Sequence, residues 1–135
     1  MIVVDTNVLA YAVLPSDRSS VVQALGERDP DWIAPVIWRR EMRNVLATTM
    51  RVRRLTLPSA LAAFAAAEGL VVDATVEPSV EECLRIAASG GVSAWDAEFV
   101  FVAEALGLPL VSADRRLCAA FPGRVVALDV AGSVH

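Results

Sequence analysis

The sequence predicts a three-layer α/β/α domain in which helices cover both faces of a central, mainly parallel sheet. Three observations lead there. Short apolar runs alternate with helix-like stretches along the chain. The runs are apolar throughout rather than at every second position, as in strands buried on both faces. The 135 residues fit one domain with a real core, and neither linker, repeat nor low-complexity segment divides positions 1–135.

The elements follow in order. MIVV is a strand and TNVLAYAVL a helix, followed by a polar-faced helix over 17–28. DWIAP is a short strand. A long helix over 35–50 opens at Pro35, a position that needs no backbone donor. LTLPSALAAFAAAEG is an alanine-rich helix ended by Gly69. LVVDATV is a strand, PSVEECLRIAASGG a helix stopped by glycines, and SAWDAEFVFVAEALG another helix. LPLVSA is a strand, RRLCAAF a short helical run that Asp114 can cap, and VVAL a last strand.

Composition then removes whole classes of function. The chain is 56% hydrophobic, yet no apolar stretch approaches the roughly 20 residues needed to cross a bilayer. No basic segment precedes Asp5, so no signal peptide and a cytoplasmic location are expected. Cys83 and Cys118 lie in helical patterns and are expected as buried thiols, not as a disulfide. The one histidine is the terminal His135, which argues against a Ser-His-Asp triad and histidine-ligated zinc. All 12 basic residues are arginines, so Walker-type phosphate loops and Schiff-base chemistry are absent too. Carboxylates remain.

In a parallel sheet the carboxyl end of each strand leads into a helix N-terminus along one edge, where such folds bind ligands. Asp5 ends the first strand and Asp114 follows the LPLVS strand. Asp96 lies in the first turn of the helix after Ser93, and Glu41 in the second turn of the helix opened by Pro35. Asp5 and Asp114 could be helix caps alone, and Ser93 to Asp96 has capping-box spacing. Glu41 resists that reading. It shares a row with Ile37 and Val45, beside Trp38, Met42 and Leu46, while Arg39, Arg40 and Arg43 supply the exposed face. An inward carboxylate needs a cation, and oxygen ligands alone suit magnesium or manganese.

VVDTNVLAY, PVIWRREMRNVL and SAWDAEFVFVAEALGLPLVSAD, in that order and spacing, resemble the PIN-domain family, most closely the VapC-type toxins of bacterial toxin-antitoxin pairs. The resemblance covers nearly the whole chain. It implies a single PIN-like nuclease domain, a magnesium- or manganese-dependent endoribonuclease, with Asp5, Glu41, Asp96 and Asp114 as catalytic and metal-binding acids. Asn7 and Ser112 are implied as hydrogen-bonding supports, and hydrolysis by an activated water implies 5′-phosphate and 3′-hydroxyl products. One position departs: some relatives carry a further acid where this chain has Arg116, which weighs against a fully occupied second metal position. The resemblance also implies a homodimer and a cognate antitoxin that occludes the acidic cleft.

A net charge of −4 runs against the usual footprint of a nucleic-acid binder. Metal would offset the four acids, and Asp73 is expected in a strand away from their edge. Six of the 12 arginines fall between positions 39 and 54, as a phosphate-contacting stripe or a solvated face. Arg115 and Arg116, directly after Asp114, are the nearer candidates for RNA contact. TLPSALAAFAAAEGLVV with Trp32, Trp38 and Phe64 is expected mainly as core, with part of it free for another chain. Two other classes stay open: a magnesium-dependent phosphotransfer or phosphatase domain using Asp5, which lacks the second acid at Asn7 and a strand-terminal lysine, and a non-catalytic binding module.

Overall fold

Five strands of three residues each form one all-parallel sheet in the computed structural model, which describes residues 1–133. His135 therefore lies outside the described residues. The strands are β1 (Ile2–Val4), β2 (Trp32–Ala34), β3 (Val71–Asp73), β4 (Leu110–Ser112) and β5 (Val125–Ala127), in the order β3-β2-β1-β4-β5. β1 is central, pairing Val3 with Ile33 on one side and with Leu110 on the other. Its three residues are buried, as the apolar run requires. The chain winds outward from β1 through β2 to β3, then returns to β4 and continues to β5. Because parallel crossovers are right-handed, this reversal sends helices to opposite faces of the sheet. Helices flank it accordingly.

The helices are α1 (Thr6–Val13), α2 (Ser19–Arg28), α3 (Trp38–Arg53), α4 (Leu57–Leu70), α5 (Val80–Gly90), α6 (Ala94–Leu106), α7 (Arg115–Ala120) and α8 (Leu128–Ser133). Local chemistry sets several ends. Ser79 and Glu82 form a complete capping box at α5, and Thr56 caps α4 by accepting from the Ser59 amide. Gly91 and Gly107 close α5 and α6 in the left-handed conformation, which glycine adopts without steric cost. The core joins both layers, with Val3, Val4, Leu9, Trp38, Met42, Val100 and Leu110 fully buried. Among the described residues, no helix is long and apolar enough to cross a membrane.

Several boundaries differ from the sequence reading. Pro35 does not open α3. Residues 35–37 form a turn, in which the Trp38 amide donates to Pro35 O at 3.0 Å, and the helix begins at Trp38. Glu41 consequently lies in the first turn, not the second. Gly69 does not end α4, which runs on to Leu70 and passes directly into β3. Asp73 closes β3 and so stands at the carboxyl edge rather than away from it; there it accepts from Trp38 Nε1 at 2.7 Å and Arg39 Nε at 3.1 Å. Cys83 and Cys118 are free, as expected, but only half-buried.

The helix α8 escaped the sequence reading because LDVAGS is short and contains a glycine. That glycine is what permits it. A Cβ at Gly132 would stand 2.6 Å from the Val21 carbonyl oxygen, so α8 can approach α2 only without a side chain there. Gly132→Ala is therefore expected to destabilise the fold by about 1–3 kcal/mol through overpacking. Urea unfolding checks it, and an unchanged midpoint would contradict the packing argument.

Candidate functional site

The reversal in strand order falls between β1 and β4, the place where open parallel sheets leave a crevice beyond their strand ends. A cavity of about 490 Å³ occupies it. Asp5, Glu41, Asp96 and Asp114 all line this cavity, together with Thr6, Asn7, Arg40, Asn44 and Trp95. The four acids expected from sequence thus share one space.

Asp5 is the innermost. It follows β1, caps α1 by accepting from the Val8 amide through Oδ1 at 3.0 Å, and accepts a short hydrogen bond from Ser112 Oγ through Oδ2. Ser112 Oγ also accepts from the Asp114 amide at 3.0 Å, which fixes the turn leaving β4. Asp114 caps α7, and both of its capping bonds go to Oδ1, from the Arg116 and Leu117 amides at 2.9 and 3.3 Å. The capping role expected of Asp5 and Asp114 is therefore real, and it coexists with lining the cavity. At Asp96 the Ser93 hydroxyl accepts from the Asp96 amide at 3.1 Å. Glu41 points inward as its row predicts, and Thr6 Oγ1 donates to its Oε1 at 2.6 Å.

Charge is unfavourable throughout this space. Burial lifts the Asp5 carboxyl above the usual carboxylate range, the bonds from Ser112 and Val8 oppose that, and repulsion from Asp114 and Asp96 adds to it. Glu41 is raised by desolvation, lowered in part by Thr6, and raised again by Asp96, Asp5 and Glu98. Asp96 is raised by burial and by Asp114, against a hydrogen bond from Ser93. Among the described residues, none of the four acids has an ion-pair partner.

The donor set is oxygen only, which suits a hard divalent cation. As the side chains stand, no group of three or more His, Cys, Asp or Glu residues among the described ones is gathered tightly enough to hold an ion directly. Magnesium is compatible with that spacing, because it keeps several of its waters and needs only one or two carboxylates in direct contact. The residues fit a hydrated ion better than a fully protein-ligated one.

Of the supports, Ser112 is buried on Asp5, and Asn7 is an exposed residue on the cavity wall. Arg115 and Arg116 are exposed on α7 and do not line the cavity. Arg40 does, although it was expected on the solvent face of α3. Its position just before Glu41 was the available signal. Thr6 and Trp95, each adjacent to a cavity acid, were legible in the same way and were passed over. Asn44 lies three residues beyond Glu41 on α3, and that spacing could have found it.

The family model described as PIN domain matches residues 2–121. Exonuclease VapC9 of Pyrobaculum aerophilum is 41% identical over 49 residues, which is 36% of this chain. That match spans 37% of the relative's own length. The crystal structure of PAE2754, also from Pyrobaculum aerophilum, superposes with a TM-score of 0.76 over 97% of this chain and 92% of that one. At 23% identity it is alike in fold.

The raised acids have a stability consequence for the metal-free protein. A carboxyl whose pKa is raised by folding contributes fully below its unfolded value near about 4, and that contribution is lost as pH rises through the folded value. In EDTA the melting temperature should therefore fall from mildly acidic toward neutral pH. Glu41→Gln should flatten part of the decline, because the amide can still accept from Thr6. Thermal melts across pH for wild type and variant test this; a melting temperature that rises over the same interval in both would refute it.

Proposed function

Because the chain belongs to the PIN-domain family, we propose that it is the toxin nuclease of a toxin-antitoxin pair. In this reading it is a magnesium- or manganese-dependent endoribonuclease. One observation carries the proposal: four carboxylates, without ion-pair partners among the described residues, line one cavity at the reversal of the strand order. The name of the VapC9 relative, an exonuclease, supports nucleic-acid hydrolysis as the chemistry.

Asp5, Glu41, Asp96 and Asp114 would hold the cation. When bound, the ion supplies an acidified water at neutral pH and offsets charge on the scissile phosphate. The chain's own residues supply position. Ser112 and the Val8 amide fix Asp5, Thr6 fixes Glu41 and Ser93 fixes the start of α6, so ligand orientation is set by a surrounding layer of hydrogen bonds. Asn7 lines the cavity, and in this reading its side chain would hydrogen-bond a phosphate oxygen. Arg115 and Arg116, exposed and off the cavity wall, would in this reading meet the RNA backbone only outside the cavity mouth. A second copy of the chain and an antitoxin are the proposed protein partners, with exposed Leu57, Leu61, Leu70 and Val72 as available apolar surface.

A phosphotransfer role for Asp5 is disfavoured by its setting. Asn7 stands two residues on, where phosphatases of that type carry a second acid, and the chain has no lysine to end a strand beside it.

Purified protein incubated with total RNA should cleave in magnesium or manganese, stop in EDTA and leave 5′-phosphate ends. Internal ends mapped by sequencing would establish an endonuclease; release of mononucleotides alone would make it an exonuclease like the named relative. Asp5→Asn, Glu41→Gln, Asp96→Asn and Asp114→Asn should each lower the rate by at least about a hundred-fold while circular dichroism stays native. Full activity in any two of them, or 2′,3′-cyclic ends, would overturn the shared-cation mechanism.

A further inference from the structure

Two side chains on the cavity wall have no task in holding a cation. Trp95, in the first turn of α6, is 57% exposed. Arg40, in the first turn of α3, is exposed and makes no ion pair among the described residues. Each directly precedes a cavity carboxylate, Trp95 before Asp96 and Arg40 before Glu41, so an aromatic plane and a guanidinium come from different helices to one acidic space. Neither is explained by packing. The other two tryptophans are treated quite differently: Trp32 is buried with Nε1 on the Asp29 carbonyl at 2.6 Å, and Trp38 is fully buried with Nε1 on Asp73. Arg39, next to Arg40, is likewise committed, to Glu68 and Asp73.

A large exposed indole beside a charged cavity suits a ligand with an apolar face and a negative charge close together. A nucleotide in a single strand has both, a base plane free to stack and a phosphate beside it. In a duplex the base faces are already covered.

We infer that Trp95 and Arg40 clamp one nucleotide of single-stranded RNA next to the scissile phosphate, with the indole stacked on the base and the guanidinium on a backbone phosphate. The inference rests on the nuclease reading and adds to it a preference for unpaired RNA set by these two residues.

Stopped-flow mixing of wild-type protein and magnesium with a short oligoadenylate tests it, with tryptophan emission read before cleavage and products run on a gel from the same mixture. Trp32 and Trp38 are buried, so the emission change reports Trp95. Quenching is expected with the single strand and not with a duplex of equal length. By anisotropy of a fluorescein-labelled oligoadenylate, Trp95→Ala should weaken binding about five- to a hundred-fold, and Trp95→Phe should keep most of the affinity. Arg40→Gln should reduce the slope of log K against log salt by about 0.7. Quenching without cleavage of the oligoadenylate would uphold the clamp, and the nuclease reading would then fall only if total RNA in magnesium or manganese is also left intact. Cleavage with no quenching, and with unchanged affinity in Trp95→Ala, would overturn the clamp and leave that reading standing. Equal quenching by duplex would also overturn it.

Discussion

The bond from Ser112 Oγ to Asp5 is the contact on which the rest of the site depends. It joins the ends of the two strands that flank the reversal in sheet order, and it does so where Asp5 is almost entirely removed from water. Around it the carboxyl edge is a continuous chain of bonds. The Asp5 carboxylate starts α1, the Ser112 hydroxyl holds the Asp114 amide, and Asp114 starts α7. The cavity is thus framed by the groups that begin its helices. Loss of the Ser112 hydroxyl would leave the Asp5 carboxylate short of a donor in a place where desolvation is the largest influence on its charge.

That arrangement accepts an electrostatic cost to concentrate negative charge. Three of the four acids are raised above their ordinary range, in each case chiefly by burial and then by one another. A fold selected for stability alone would pair such groups or keep them in solvent. The available arginines do not relieve the strain: Arg39 is bound to Glu68 and Asp73, and Arg18 to Asp129. A divalent cation, as proposed, would convert mutual repulsion into shared attraction, and the oxygen-only donors suit it.

Much of this was legible in the sequence because both the sheet and the acids follow simple rules. Apolar runs such as MIVV at the start and LPLVS later mark strands of the sheet, and strand ends fix where Asp5 and Asp114 must fall; which strands are central was not legible. The inward turn of Glu41 followed from helical periodicity around Trp38, Met42 and Leu46, all of which are buried. What failed was local. Pro35 looked like a helix start, but three residues of turn come first, which moves Glu41 into the first turn of α3. Gly69 looked like a stop, but the alanine-rich segment reaches Leu70 because nothing after it demands a left-handed residue. Asp73 was misplaced because its partners, Trp38 and Arg39, are 34–35 residues away and no local pattern announces them.

The neighbouring arginines of α3 show why a charge count misjudges this molecule. Consecutive residues on a helix are turned by about 100°, so Arg39 and Arg40 cannot share a task. Arg39 lies over the Trp38 ring at 4.9 Å from its centroid and ties the start of α3 to β3 and α4. It is a structural cation, neutralised in place. Arg40 lines the cavity and has no ion-pair partner among the described residues. The same division applies to the acids: Asp73 and Glu68 are consumed by Arg39, whereas the cavity acids have no counterpart among the described residues. A net charge of −4 therefore averages over pairs that cancel locally and groups that do not. What a polyanion would meet at this edge is the balance among four carboxylates, the proposed cation and Arg40, and that local sum, not the overall charge, governs approach within a Debye length.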